Sequence, residues 1–279
     1  MSLKTIIVHV DTTSRSGERV KIAAQLAMDD DAHLIGLATT GWSSFVFAMG
    51  AIDPMVPPCS MDLEPVRQDC RTALAAFEAQ ARALGVASVE TRLVEEEAGM
   101  ALALHGRYSD LIVLGQTRGA ANSVLVRNDF PEYVLLNCAT PVLVVPASAS
   151  AGSVGRHIAV AWNGSMEARR AIASAIPVLQ RARQVSLVII NPELPGMDEG
   201  DEPGADMALY LARQGIRVEV LCRATQDGAD EAIIDAMSAC GADMIVMGAY
   251  GRSRLREFIM GGVTRTMLES MTVPAWMAH

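Results

Sequence analysis

Four glycines punctuate the segment "GAYGRSRLREFIMGGVT": Gly248, Gly251, Gly261 and Gly262 lie between the apolar run "DMIVM" and a helix-like stretch that begins near Thr264. Glycines placed between a strand and a helix suit anion chemistry. At the carboxyl ends of parallel strands, helix amino termini gather and present unpaired N–H groups, and a glycine has no side chain to hold phosphate oxygens away from them. Here Gly248 is expected to turn the chain off its strand and Gly251 to take a backbone angle that other residues avoid. Gly261 and Gly262 would leave the N–H groups uncovered, and Thr264 would add a hydroxyl at the helix start. One such glycine reads as a turn or a packing device; four of them in this setting read as a phosphate loop. Arg252, Arg254 and Arg256 alternate along the loop, either reaching a phosphate or forming a solvated face.

The elements that must carry this loop recur twice. Short Val- and Ile-rich runs alternate with Ala- and Leu-rich amphipathic segments, the pattern of β-α units around a parallel sheet. "TIIVHVDTTS" is answered by "HIAVAWNGS", and "DLIVLG" by "DMIVMG". From Gly115 and Gly248 onward the two copies keep a spacing of 133 residues, which Pro141 and Pro274 repeat, whereas Asp11 and Asn163 are 152 apart. The first copy therefore holds about nineteen extra residues, most simply in the loop from Gly41 to Met61. Strands are expected near Thr5–Val10, His33–Thr39, Ser88–Val94, Leu111–Gly115 and Val142–Val145, then His157–Ala161, Val185–Ile190, Val218–Cys222, Met244–Gly248 and Ala275–Ala278. Helices are expected near Arg15–Met28, Leu63–Leu84, Glu97–Tyr108 and Glu132–Asn137, then Met166–Gln180, Asp206–Gln214, Gly228–Cys240 and Thr264–Met271. The fold class is α/β, two tandem open-twisted domains with five-stranded parallel sheets, residues 1–147 and 155–279, joined through "PASASAGSVGR".

The repeat supplies its own control. A step back of 133 residues sets Arg118 opposite Gly251, Asn128 opposite Gly261, Asp129 opposite Gly262 and Pro131 opposite Thr264. Asp129 would cap its helix with a carboxylate and repel phosphate, and Pro131 lacks an N–H to donate. Only the second copy is expected to bind a nucleotide through this loop.

Composition removes several other classes. With 51% hydrophobic and 20% charged residues in 279, the chain has material for large cores. A long uncharged stretch, Ala32 to Ile52, is interrupted by threonines, serines and glycine, so no membrane span is expected, and the amino terminus has too short an apolar run for a signal peptide; a cytoplasmic protein is expected. A net charge of −9 disfavours nucleic acid and acidic membranes as partners. Cys59, Cys70, Cys138, Cys222 and Cys240 form no close pair, and the five histidines lack metal-ligand spacing, so neither disulfides nor a metal centre is expected. No G-x4-G-K-[ST], G-x-G-x-x-G after the first strand, or G-x-S-x-G occurs, and no catalytic residues are assigned.

Gly248-x2-Gly251-x9-Gly261-Gly262-Val263-Thr264, set in repeated five-strand halves, resembles the universal stress protein family in its tandem form, over essentially the whole chain. The resemblance implies a HUP or Rossmann-like fold of the adenine nucleotide alpha hydrolase type. It also implies a stress-responsive protein that binds ATP or AMP, with or without Mg²⁺. The family's ATP-binding members follow the last glycine of G-x2-G-x9-G with Ser or Thr; here Gly262 holds that place and Thr264 is the nearest hydroxyl. Those members also carry an Asp after the first strand that contacts adenine; Asp11 has that position in the first half and Asn163 in the second. On this basis Ala161, Trp162, Asn163, Met247, Gly248, Gly251, Arg252, Gly261, Gly262, Val263 and Thr264 are the candidate nucleotide contacts. Asn163-Gly164-Ser165 reads equally as a turn and helix cap.

Three functions remain open: a nucleotide-binding regulator in which the ligand orders Arg252 to Met260 and alters a surface offered to an unidentified protein partner; an interaction scaffold without nucleotide; and, last, a slow ATPase. "GWSSFVFAMG", Gly41 to Gly50, is either a lid or partner surface or a satellite core. Single-domain relatives commonly dimerise through their last strands, which implies that Val142–Val145 and Ala275–Ala278 pair within one chain as an internal pseudo-dimer, Trp276 buried between the halves, with homodimerisation a further option. The alternative is two halves that swing on Pro146 to Arg156.

Overall fold

The computed structural model describes residues 2–41, 63–117, 130–148, 154–192, 202–226, 228–251 and 262–279. The loop from Gly41 is thus outside the described residues from Trp42 to Asp62, and so are Arg118 to Asp129 and Arg252 to Gly261. The chain folds as two compact units, Leu3–Thr140 and Pro141–His279, the second also taking Met1–Ser2.

In the first unit the elements run β1 (Thr5–His9), α1 (Ser16–Asp30), β2 (His33–Thr39), α2 (Glu64–Leu84), β3 (Val89–Val94), α3 (Ala98–Gly106), β4 (Leu111–Gly115) and α4 (Phe130–Asn137). The strands are parallel in the order β3-β2-β1-β4. Burial explains why they read as unbroken apolar runs: Ile6, Ile7 and Val8 of β1 and Leu111 to Leu114 of β4 are at most 1% exposed, as expected of strands covered by helices on both faces. The edge strand β3, "VETRLV", is half-exposed and carries the Glu90–Arg92 ion pair, which keeps that edge polar.

The second unit contains β5 (Val142–Val145), β6 (His157–Ala161), α5 (Met166–Arg181), β7 (Gln184–Ile190), α6 (Ala205–Arg213), β8 (Val218–Arg223), α7 (Ala229–Cys240), β9 (Met244–Gly248), α8 (Gly262–Ser270) and β10 (Ala275–Ala278). Strands β10-β9-β6-β7-β8 are parallel, and β5 pairs antiparallel with β10 through Ala275↔Val144, Trp276↔Leu143 and Met277↔Val142. The expected pairing of the two terminal strands is therefore present. It has a consequence for the expected five-and-five division: β5 packs within the unit that carries the second copy. Trp276 is fully buried, and its indole N–H donates to Ser174 Oγ on α5 at 2.9 Å, a partner in its own unit.

Each copy anchors its first strand in the same way, by a carboxylate just before the fourth. Asp110 accepts from the N–H groups of Lys4 and Thr5, and Asp243 accepts from those of Gly155, Arg156 and His157. The repeated Asp of "DLIVLG" and "DMIVMG" is thus a staple at the amino end of the sheet, opposite the edge where ligands bind.

Candidate functional site

In the second unit the strand order reverses at β6 and β9, so their carboxyl ends part and form the crevice in which open α/β sheets hold ligands. From Ala161 at the end of β6 the chain enters Trp162-Asn163-Gly164-Ser165. Trp162 N–H bonds to Val188 O at 2.9 Å, and Gly164 turns with φ 69°. Asn163 Oδ1 accepts from the backbone N–H of Ser165 at 3.1 Å and from its hydroxyl at 2.6 Å, while Ser165 Oγ accepts from Ala168 N–H at 3.2 Å. Ser165 is the N-cap of α5. Of the two readings of this stretch, the turn and cap is the one its hydrogen bonds make. The amide nitrogen of Asn163, on an exposed side chain, keeps its donors.

Gly248 ends β9 for a reason other than the one expected. Its φ is not positive; instead a Cβ there would stand 2.5 Å from Ala168 N and 2.7 Å from Glu167 C. Only a glycine lets the start of α5 lie directly on the strand end, which brings the amino end of a helix to the crevice, its Ala168 N–H capped by Ser165 Oγ. Nor is φ positive at Gly251: the left-handed residue of this turn is Tyr250, φ 55°. The hydroxyl of Thr264, 4% exposed, accepts from Tyr250 N–H at 3.1 Å, so it ties α8 to the turn after β9 and retains only its own proton to donate outward. Gly262 opens α8 at an exposed position where an added Cβ meets no described atom within 4 Å.

The structure therefore brings Gly248, Gly251 and Thr264 to one turn, with Ser165 beside Gly251 and Asn163 linked to it through Ser165. Met247 is buried in β9, and Ala161, Trp162 and Val263 are half-buried. Arg252 and Gly261 lie outside the described residues, as do Arg254 and Arg256. No acid was among the candidate contacts read from the sequence. The structure places one beside the turn: Glu167 Oε2 stands 3.3 Å from where a Cβ on Gly251 would be, in the first turn of α5, where the helix dipole favours a negative charge. The signal was available, since a helix capped at Ser165 necessarily directs its first turn toward the end of β9. Among the described residues no group of three or more His, Cys, Asp and Glu side chains is gathered to hold a metal ion. A Mg²⁺ here would have Glu167, nucleotide oxygens and water as ligands.

Two segments of the chain, residues 2–146 and 155–279, match the model described as "Universal stress protein family". The chain belongs to the universal stress protein family. Both copies are universal stress domains of the α/β class, arranged in tandem. A universal stress protein from Archaeoglobus fulgidus DSM 4304 is similar over 98% of this chain and 97% of its own, at 15% identity and a TM-score of 0.75. A protein from Pseudomonas aeruginosa UCBPP-PA14, described as a putative universal stress protein, matches 99% of this chain and 93% of its own at 17% identity and a TM-score of 0.64. The universal stress protein from Archaeoglobus fulgidus in complex with dAMP matches 52% of this chain and 98% of its own, at 19% identity and a TM-score of 0.38, a likeness that says nothing of this chain's ligand. No curated protein sequence matches the chain. No described helix is long and apolar enough to cross a membrane.

The corresponding edge of the first universal stress domain is built from charge. Asp11 Oδ1 accepts from the N–H and hydroxyl of Thr13, and Oδ2 accepts from Arg19 Nη2 at 2.9 Å. Burial alone would raise the carboxyl pKa of Asp11, but the guanidinium of Arg19, with His9 and the Thr13 hydrogen bonds, holds it below the usual value. His9 packs edge-on against Phe130, ring centroids 5.3 Å apart. Its pKa is lowered to about 4, chiefly by burial and then by Arg19, against the pull of Asp11. The sign of the consequence is definite. Between its ordinary value of 6.5 and about 4, the unfolded chain takes a proton on His9 that the folded chain refuses, so stability falls as pH falls through that window and the loss from this group ends below it. The full effect is roughly 3 kcal/mol. Urea unfolding from neutral pH down to about pH 4 should show the wild type losing stability more steeply than His9→Gln; parallel curves would show that His9 titrates normally in the fold.

Proposed function

We propose that the second universal stress domain holds an adenine nucleotide, ATP or AMP, at the crevice between β6 and β9, and that occupancy alters a surface read by a protein partner under stress in the cytoplasm. The observation that supports this reading most is the turn after β9. Gly248 admits the amino end of α5 onto the strand end, and the helix that follows opens at Gly262 with nothing described within 4 Å of its missing side chain. The amino ends of α5 and α8 thereby both lie at this turn, and helix amino ends favour an anion. In this reading the phosphates meet Gly251, Gly262 and the Thr264 proton, and the base lies toward Asn163. Because Asn163 Oδ1 is committed to Ser165, the side chain offers adenine only N–H donors, suited to a ring nitrogen of the base rather than to its amino group. Hydrolysis would be slow, since Glu167 is the carboxylate seen beside Gly251 among the described residues, and one carboxylate serves either as a Mg²⁺ ligand or as a general base.

Mass spectrometry of ligand released from the purified full chain tests the reading: adenine nucleotide at up to one per chain is the expected result. Calorimetry on Asn163→Asp adds a sharper arm. A carboxylate spares an acceptor after the Ser165 bonds are made, so this variant should bind ATP at least as tightly as wild type and prefer it to GTP more strongly. An unchanged base preference would show that Asn163 serves the turn alone. A second reading, an interaction scaffold without nucleotide, is favoured by the same commitment of Asn163 to its cap; it predicts no released ligand and no heat on titration with ATP or AMP.

A further inference from the structure

The acidic and basic groups at the crevice of the first domain play no part in the reading above. At the spacing of 152 residues, His9 and Arg19 correspond to Ala161 and Ala171, and Asp11 corresponds to Asn163. Where the second domain has two methyl groups and an amide, the first has an imidazole, a guanidinium and a carboxylate. They stand where β1 and β4 part, the switch point of that sheet and the place where such sheets bind ligands.

Counting the donors of Arg19 shows what is left over. A guanidinium has five N–H groups. Arg19 Nε donates to His9 O at 2.6 Å, and Nη2 donates to Asp11 Oδ2 at 2.9 Å and lies 3.5 Å from Ser16 Oγ. Nη1, with two N–H groups, has no acceptor among the described residues, although the side chain is only 4% exposed. It lies over the end of β4, 2.5 Å from where a Cβ on Gly115 would be, so the glycine leaves room for the guanidinium in this position. At the matching point of the second domain the backbone of α5 itself covers Gly248. In the first domain a fixed cation with spare donors takes the place of a helix end. Nearby, His9 is 5% exposed and its Nδ1 lacks a hydrogen-bond partner, 3.8 Å from the same Asp11 oxygen. His9 Nδ1 is a buried polar atom without a partner, which is costly and rare in native structures, whereas the spare donors of Arg19 Nη1 are not sealed off in this way.

We propose that this crevice of the first domain is a second ligand site, specific for a small monoanionic carboxylate, which accepts from Arg19 Nη1 beside Gly115. The preference for one charge follows from Asp11. Its carboxylate, 29% exposed, already balances the guanidinium, so a singly charged acceptor gains a charge-assisted hydrogen bond while a multiply charged phosphate meets added repulsion. The three bonds that fix Nε and Nη2 preorganise the anchor, so little freedom is lost on binding. The site is independent of the nucleotide reading and shares no residue with it.

Fluorine NMR with trifluoroacetate as the probe tests it on the full chain. Saturable binding is expected in the wild type and unchanged in Gly262→Asp. In Arg19→Lys, which keeps the charge but loses the second nitrogen, affinity should fall at least tenfold, and inorganic phosphate should displace the probe less well than acetate does. No saturable binding, or equal binding by Arg19→Lys, overturns the proposal. Should Arg19→Lys fail to fold, crystals of the wild type grown with acetate decide: a carboxylate within hydrogen-bond distance of Arg19 Nη1 upholds the site, and water alone at that position overturns it.

Discussion

Gly262→Asp abolishes ATP binding by the second domain in calorimetry while the far-UV spectrum and the urea midpoint stay close to wild type. This result is expected from geometry that separates the ligand from the fold. The position is exposed, a Cβ there meets no described atom within 4 Å, and a carboxylate at the first residue of α8 favours the helix. The same charge, placed about 4 Å from a phosphate at an effective dielectric near 20, costs about 4 kcal/mol per unit of phosphate charge, roughly a thousandfold in affinity. The substitution copies Asp129, the residue that the repeat sets opposite Gly262. Unchanged ATP affinity would remove the phosphate from the start of α8.

Trp276→Ala should cost about 3–5 kcal/mol in urea unfolding of the full chain, the largest stability effect expected of any single truncation described here. The side chain is fully buried, lies on β10 between its pairings with β5 and β9, and loses its hydrogen bond to Ser174 when truncated. Trp276→Phe keeps most of the packing and leaves Ser174 Oγ without its donor, so it should fall between, near 1–2 kcal/mol. Wild-type stability in Trp276→Ala would mean that β10 is not part of the cooperative core.

Much of this architecture was legible because parallel strands buried on both faces leave continuous apolar runs. "LIVLG", "HIAVA" and "MIVMG" begin and end where the strands do. Helix ends were less legible: α4 already includes Phe130 and Pro131, ahead of the expected Glu132, because a proline in a first helical turn loses nothing by lacking an N–H. The site was legible as a set of residues and not as a set of roles. A glycine in sequence shows that a side chain is absent and leaves open whether torsion or proximity requires it; at Gly248 it is the approach of Ala168, and the torsion falls to Tyr250. Arg19 could not be read at all, since an arginine in an amphipathic helix belongs by default on the wet face, and only the fold shows it turned inward onto Gly115.

The pairing of β5 with β10 also fixes an order of events during synthesis. Val144 and its partner Ala275 are 131 positions apart, so β5 is made well before β10. At roughly 5–20 residues per second, the edge of β5 that β10 will cover emerges on the order of ten seconds before its partner exists. During that interval "VLVV", a fully apolar strand, presents unpaired backbone to whatever is near the ribosome. The second domain is thus committed to completing its sheet around a strand delivered first, and a slowed or truncated translation product, with β5 made and β10 missing, is the form of this protein most prone to aggregate.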